Sequence, residues 1–94
     1  MKLEYEWSLG AEVQLRQAQL AQRSFEALMQ LEHEIDRVID QITDHPESAR
    51  QQPDFERFDI RVIPVLDYRM TYMVLQNRIV ILAFKPGRSG SALD

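Results

Sequence analysis

The chemistry open to a short chain is bounded by its nucleophiles, its bases and its cations. No cysteine occurs among the 94 residues, which removes a thiolate nucleophile and a disulfide framework together. His33 stands beside Glu32, Glu34 and Asp36, a run that would hold a metal only if the side chains converged. Successive residues of a helix point in different directions, so the run reads as a solvated charged face and no metal site or other cofactor is expected. His45 precedes Pro46 and reads as a residue near a helix C-terminus, where a cation is favoured. No residue presents itself as a catalytic acid or base. The arginines remain. The net charge of -4 argues against a general nucleic-acid binder, but it averages two unlike halves. Residues 1 to 49 set ten acids against four cations, Lys2, Arg16, Arg23 and Arg37. Residues 50 to 88 set seven cations (Arg50, Arg57, Arg61, Arg69, Arg78, Lys85 and Arg88) against Asp54, Glu56, Asp59 and Asp67. One acidic face and one arginine-bearing face are expected, and arginine is the cation suited to bidentate contact with phosphate or carboxylate. Ordinary surface ion pairs are the plain alternative.

The elements that must position these cations follow from periodicity. Leu3, Tyr5 and Trp7 alternate with charged residues, the pattern of a strand with one buried face. Ser8 is placed to cap a helix, and from Ala11 to Asp44 there is neither Gly nor Pro. A single rod of that length would span about 50 Å at 1.5 Å per residue, too long for so small a domain, so it must fold back. Ser24 is the expected second cap, with Glu26 in the turn after it. Phe25, Leu28, Met29, Ile35, Val38, Ile39 and Ile42 trace the expected buried stripe of the second helix, interrupted by Glu32. Pro46 and Pro53 bracket a surface connection. Phe58, Ile60 and Val62 alternate with Arg57, Asp59 and Arg61 in a strand that turns near Pro64 to Asp67. Tyr68, Met70, Tyr72 and Val74 alternate with Arg69, Thr71 and Met73 in the next. Ile79 to Phe84 is apolar on both faces, and Pro86 and Gly87 end it.

These elements predict an α+β domain over residues 1–88. An N-terminal strand and a helical hairpin precede a three-stranded antiparallel meander, with the helices packed on one face of a mostly antiparallel sheet. Residues 89–94, small and polar, are expected to form a mobile tail. No apolar run reaches the roughly 18 residues of a membrane span. The acidic start of the chain does not resemble a secretory signal, so the expected location is the cytoplasm.

The joints of this pattern carry a family resemblance. Tyr5-Glu6-Trp7-Ser8 runs into a helix with Ala11, and the second helix ends over Ile42 and His45-Pro46-Glu47-Ser48-Ala49-Arg50. A strand reads Asp67-Tyr68-Arg69-Met70-Thr71-Tyr72, and Ile79-Val80-Ile81-Leu82 is followed by a basic residue. Taken in this order and at this spacing, over almost the whole chain, they resemble the RelE/ParE family of bacterial type II toxins. The resemblance implies a toxin neutralised by a cognate antitoxin, with the ribosome as target in the RelE-like branch, whose members cut messenger RNA, and DNA gyrase in the ParE-like branch. It matches Arg69 to the family's arginine on the middle strand, with Arg61 and Arg88 as companions, a set that would bind the target or the antitoxin. The segment after Arg88 lacks the tyrosine or histidine that many RNA-cutting members carry there, which favours the ParE-like branch and gyrase, or a member that has lost its activity. A non-toxic binding module, whose sheet recruits a partner strand or helix, is the reading from a different class. Within the strand, Tyr68, Met70 and Tyr72 are expected in the core. Arg69 is expected on the opposite, open face, free or paired with Asp59 or Asp67.

Overall fold

A computed structural model describes residues 2–53 and 57–87. Strand β1 is Glu4–Trp7. Ser8 ends it and begins α1, Leu9–Leu20, by accepting the Ala11 N–H on its hydroxyl at 3.1 Å, which satisfies one amide of an otherwise unpaired first turn. Ser24 does the same for α2, Phe25–Asp44, taking the Ala27 N–H at 3.1 Å. The long helical run thus breaks where its second capping serine stands. Helix α2 ends at His45, and a single 3₁₀ turn, Pro46–Ser48, leads into β2, Arg50–Gln51. Strands β3 (Asp59–Val65), β4 (Tyr68–Val74) and β5 (Arg78–Pro86) complete the regular structure of the described residues.

The five strands form one mixed sheet in the order β1-β5-β4-β3-β2. The meander is antiparallel as expected, and β1 joins it by running parallel to β5, with Tyr5 beside Ile79 and Trp7 beside Ile81. The helical hairpin carries the chain across the sheet to β2, and the meander then returns it so that β5 lies parallel to β1. An extra residue on β5 at Leu82 forms a bulge opposite Thr71 and Tyr72. The prolines predict a surface connection from His45 to Asp54, whereas β2 adds two residues of ladder against Arg61 and Val62.

Both helices pack on one face of the sheet. Ala11 and Ala18 of α1 and Leu31, Ile35, Val38, Ile39 and Ile42 of α2 meet Ile63, Val65, Met70, Tyr72, Ile79, Ile81 and Phe84. Trp7 meets Phe84 edge-on at 6.1 Å between centroids, and Tyr68 stacks on Phe84 at 4.9 Å. Two expectations about this core are overturned. On α2 the stripe holds at Ile35, Val38, Ile39 and Ile42 but departs in the first turns: Leu31 is buried, while Phe25 and Met29 are exposed, because the side of the helix that is covered depends on where α1 and the sheet lie. On β3 the faces are reversed, since Ile63 and Val65, not Phe58, Ile60 and Val62, enter the core. Pro64 lies inside β3 and not in the turn, and the pairing of Ile63 with Met70 and Val65 with Tyr68 sets the register. The proline is tolerated because β2 covers only Arg61 and Val62, leaving the outer side of β3 at Pro64 without a ladder partner. No described helix is long and apolar enough to cross a membrane. The expected tail, residues 89–94, lies outside the described residues.

Candidate functional site on the open face of the sheet

Register alone assigns each cation to a face. Arg69 on β4 is paired with Pro64 of β3 and Lys85 of β5, while its neighbours Met70 and Tyr72 are fully buried beneath the helices. Arg69 therefore stands on the face the helices leave open, as alternation within β4 requires, and it is exposed. Lys85, beside it, is exposed too. Arg50 joins them from the far edge: it pairs with Val62, which shares its face with Pro64. A groove of about 650 Å³ runs between Arg50 and Arg69, floored by Val62 and Pro64 and rimmed by Ser48 and Gln52. Neither arginine takes part in an ion pair among the described residues; Asp59, offered by the sequence as a partner for Arg69, is bound elsewhere.

Gly87 holds the end of β5 against this cluster. Its N–H donates to the Asp67 carbonyl at 2.7 Å. A Cβ at this position would lie 2.9 Å from Cγ of Arg69 and 3.3 Å from the Tyr68 carbonyl carbon. Only a residue without a side chain lets the strand end pass so close to the arginine stem.

Arg61 is placed differently from the expectation that grouped it with Arg69. It is opposite Tyr72 on β3 and so lies on the helix-covered face. Its Nε donates to Oδ1 of Asp59 at 2.9 Å, and Nη1 donates to the Ala49 carbonyl at 2.9 Å and the Glu47 carbonyl at 3.3 Å. Its side chain is only 16% exposed. Tyr72 supports the same connection by donating its hydroxyl to the Pro46 carbonyl at 2.9 Å. Burial pushes the Tyr72 phenol up to about 12, with Asp59 and Glu47 adding to the rise and Arg61 and the Ala49 amide opposing it. Arg61 and Tyr72 thus fasten the segment that carries Arg50 into place. Arg88 lies outside the described residues.

The middle of the open face is apolar. Ile60 and Val80 are buried and Val62, Met73 and Leu82 half-buried. Beyond them β1 contributes Glu4 and Glu6, and Arg78 approaches Glu6 at 3.9 Å. The face is thus graded, cationic at Arg50, Arg69 and Lys85, apolar in the centre and acidic at the β1 edge. Guanidinium, ammonium, hydroxyl and amide groups of this kind bind an anion or an acidic segment. The described groove is lined by no imidazole. His33 is exposed on α2, and His45 caps that helix with its ring 3.6 Å from the Asp44 carboxylate. Among the described residues no group of three or more His, Cys, Asp or Glu is placed to hold a metal ion. Sequence reasoning counted Arg50 and Lys85 as cations without placing them beside Arg69. Lys85 was not legible, because Ile79 to Phe84 is apolar on both faces and the bulge at Leu82 shifts the phase of β5, and Arg50 depends on a two-residue strand that leaves no periodic signal.

Compared with known families, residues 5–89 match the model described as ParE toxin of type II toxin-antitoxin system, parDE. A search of the curated proteins finds no match.

Proposed function

The chain belongs to the ParE toxin family of type II toxin-antitoxin systems, and from that membership we propose that it acts on DNA gyrase and is held inactive by a cognate antitoxin. The open face is the working surface in this reading. Arg69, with Arg50 and Lys85, supplies the cations, and the apolar centre supplies the area that a partner segment would cover. The observation that carries the proposal is the family match over most of the chain, joined to a cationic cluster that makes no ion pair among the described residues. No imidazole lines the described groove, which favours binding over RNA cleavage, because strand cleavage calls for a positioned acid or base. The cytoplasm, where gyrase works, is the proposed location.

The test is a supercoiling assay with the purified chain, run beside a translation reaction in which messages are mapped for breaks. Loss of supercoiling with intact messages is the expected result. Site-specific cuts in translated messages would replace this reading with the ribonuclease one. The antitoxin is tested by co-expression with the product of the adjacent reading frame, which should co-purify with the chain and restore supercoiling.

A further inference from the structure

Strand β5 changes face partway along its length. Ile79 and Ile81 are fully buried beneath the helices, and plain alternation from them would turn Phe84 to the open face and Lys85 to the covered one. The bulge at Leu82 reverses that phase. Phe84 pairs with Met70, is 1% exposed and stacks on Tyr68, and Lys85 emerges on the open face opposite Arg69. The cationic cluster therefore depends on what holds β5 beyond its bulge.

On one side the hold is β4, which pairs with β5 as far as Pro86. On the other side it is not a strand, because β1 ends with Trp7 beside Ile81 and the chain turns into α1. A strand edge without a neighbour needs other partners for its amides and carbonyls. Ser8 supplies the first, donating its N–H to the Ile81 carbonyl at 2.9 Å, with its hydroxyl 3.4 Å from the Leu82 carbonyl. Gln14, further along α1, supplies the next: its Oε1 accepts the Phe84 N–H at 2.7 Å. The amide that would follow on this side belongs to residue 86, a proline, which has none. Close packing does not hold the strand end either, since a hollow of about 370 Å³ opens beside the bond, lined by Gln17, Ala18, Tyr68, Lys85 and Pro86. Gln14 lies between Ala11 and Ala18 at helical spacing, on the stripe of α1 that faces the core, where an apolar residue would pack with no polar group to satisfy.

Taking the open face as the working surface of the proposed function, on which this step rests, we propose that Gln14 is a positioning residue for it. Its bond to the Phe84 amide keeps β5 in the phase set by the bulge and so keeps Lys85 beside Arg69. Gln14 belongs to a helix on the covered face and acts through Lys85.

Amide hydrogen exchange of the full-length chain, followed by NMR and combined with the supercoiling assay, is the test. Gln14→Met removes the acceptor at similar size, and Gln14→Glu keeps one. In Gln14→Met, protection of the Phe84 amide should fall about tenfold, the strength of one hydrogen bond, while Met70 in the middle of β4 keeps its protection. The cross-strand nuclear Overhauser contact between Arg69 and Lys85 should weaken in the same variant, and Gln14→Glu should restore both signals. Inhibition of supercoiling should fall about fivefold in Gln14→Met, with no further fall when that change is added to Lys85→Ala, because the two act through one cation. Unchanged Phe84 protection in Gln14→Met, or an Arg69–Lys85 contact as strong as in wild type, overturns the proposal. Equal losses of protection at Phe84 and Met70 overturn it too, by making the bond an ordinary part of the fold, as does a full additional fall in the Lys85→Ala background. If Lys85→Ala and Arg69→Ala both inhibit as wild type does, the working-surface reading fails instead, and the exchange and Overhauser signals alone decide whether Gln14 positions Lys85.

Discussion

Arg61 and Arg69 stand on adjacent antiparallel strands of one sheet, yet the chain treats them in opposite ways. Arg61 lies on the helix-covered face, where Asp59 and the carbonyls of Glu47 and Ala49 take up its guanidinium. Arg69 lies on the open face beside Lys85, with Gly87 packed against its stem and no acid bound to it among the described residues. The difference follows from desolvation. A guanidinium brought partly out of water must find acceptors within the chain or destabilise it, whereas an exposed one keeps its hydration and stays available to a partner. The covered arginine is thus a fastening of the fold, and the open one, in the proposed reading, is a binding group.

The comparison can be broken most directly on the covered face. Tyr72 is fully buried and bonds the Pro46 carbonyl, so Tyr72→Ala should empty a core site and cost about 3–5 kcal/mol. At roughly 4–8 °C per kcal/mol for a domain of this size, thermal melting should register a fall well above 10 °C. Arg61→Ala should come next. It strands Asp59 and two backbone carbonyls at a half-buried site, a loss of about 2–3 kcal/mol visible as a lower urea midpoint. If Arg61→Ala melts like wild type while abolishing partner binding, the two arginines share a role and the contrast between faces fails.

Which of these features the sequence disclosed depends on how local their causes are. The caps at Ser8 and Ser24 were legible because a capping hydroxyl bonds an amide three residues away. Alternation within β4 correctly separated Arg69 from Met70 and Tyr72, since both sides of that inference lie in one strand. The face of β3 was not legible, because it depends on pairing across a turn that falls at Leu66 and Asp67 and not at Pro64. Arg61 was grouped with Arg69 for that reason. The stripe of α2 was misjudged at Phe25, Leu31 and Met29 by a similar route: an apolar face wider than the area covered does not reveal which margin stays exposed. The joining of β1 to β5 was left open, as parallel pairing through a helical crossover leaves no mark on either strand.

Alkaline pH offers a gentler way to sharpen the same contrast. The Tyr72 phenol is raised by burial from 10.0 to about 12, so the unfolded chain releases this proton before the folded one does. Stability from this group is fully present below pH 10 and is lost as pH rises through 12, by about 3 kcal/mol in all. Unfolding free energies measured across that window should fall for wild type, and Tyr72→Phe should flatten this part of the curve at the cost of the bond to Pro46. An equally steep decline in Tyr72→Phe would place the titrating group elsewhere.

The smallest effect on stability should come from Arg69. It is exposed, its β4 neighbours on the covered face do not depend on it, and its stem touches Gly87 at the end of β5. Arg69→Ala should therefore change the unfolding free energy by about 0.5 kcal/mol or less. Charge is what the substitution removes. In the proposed reading, a supercoiling assay or an antitoxin-binding isotherm should show a loss far larger than melting does, and Arg69→Lys should recover only part of it, because an ammonium lacks the planar fork of a guanidinium. Arg50→Ala gives an independent reading of the same groove from its other side, with a smaller loss expected in the same assays. If both variants melt and bind as wild type does, the cationic end of the open face is ordinary solvated surface, and the working surface must lie elsewhere on the chain.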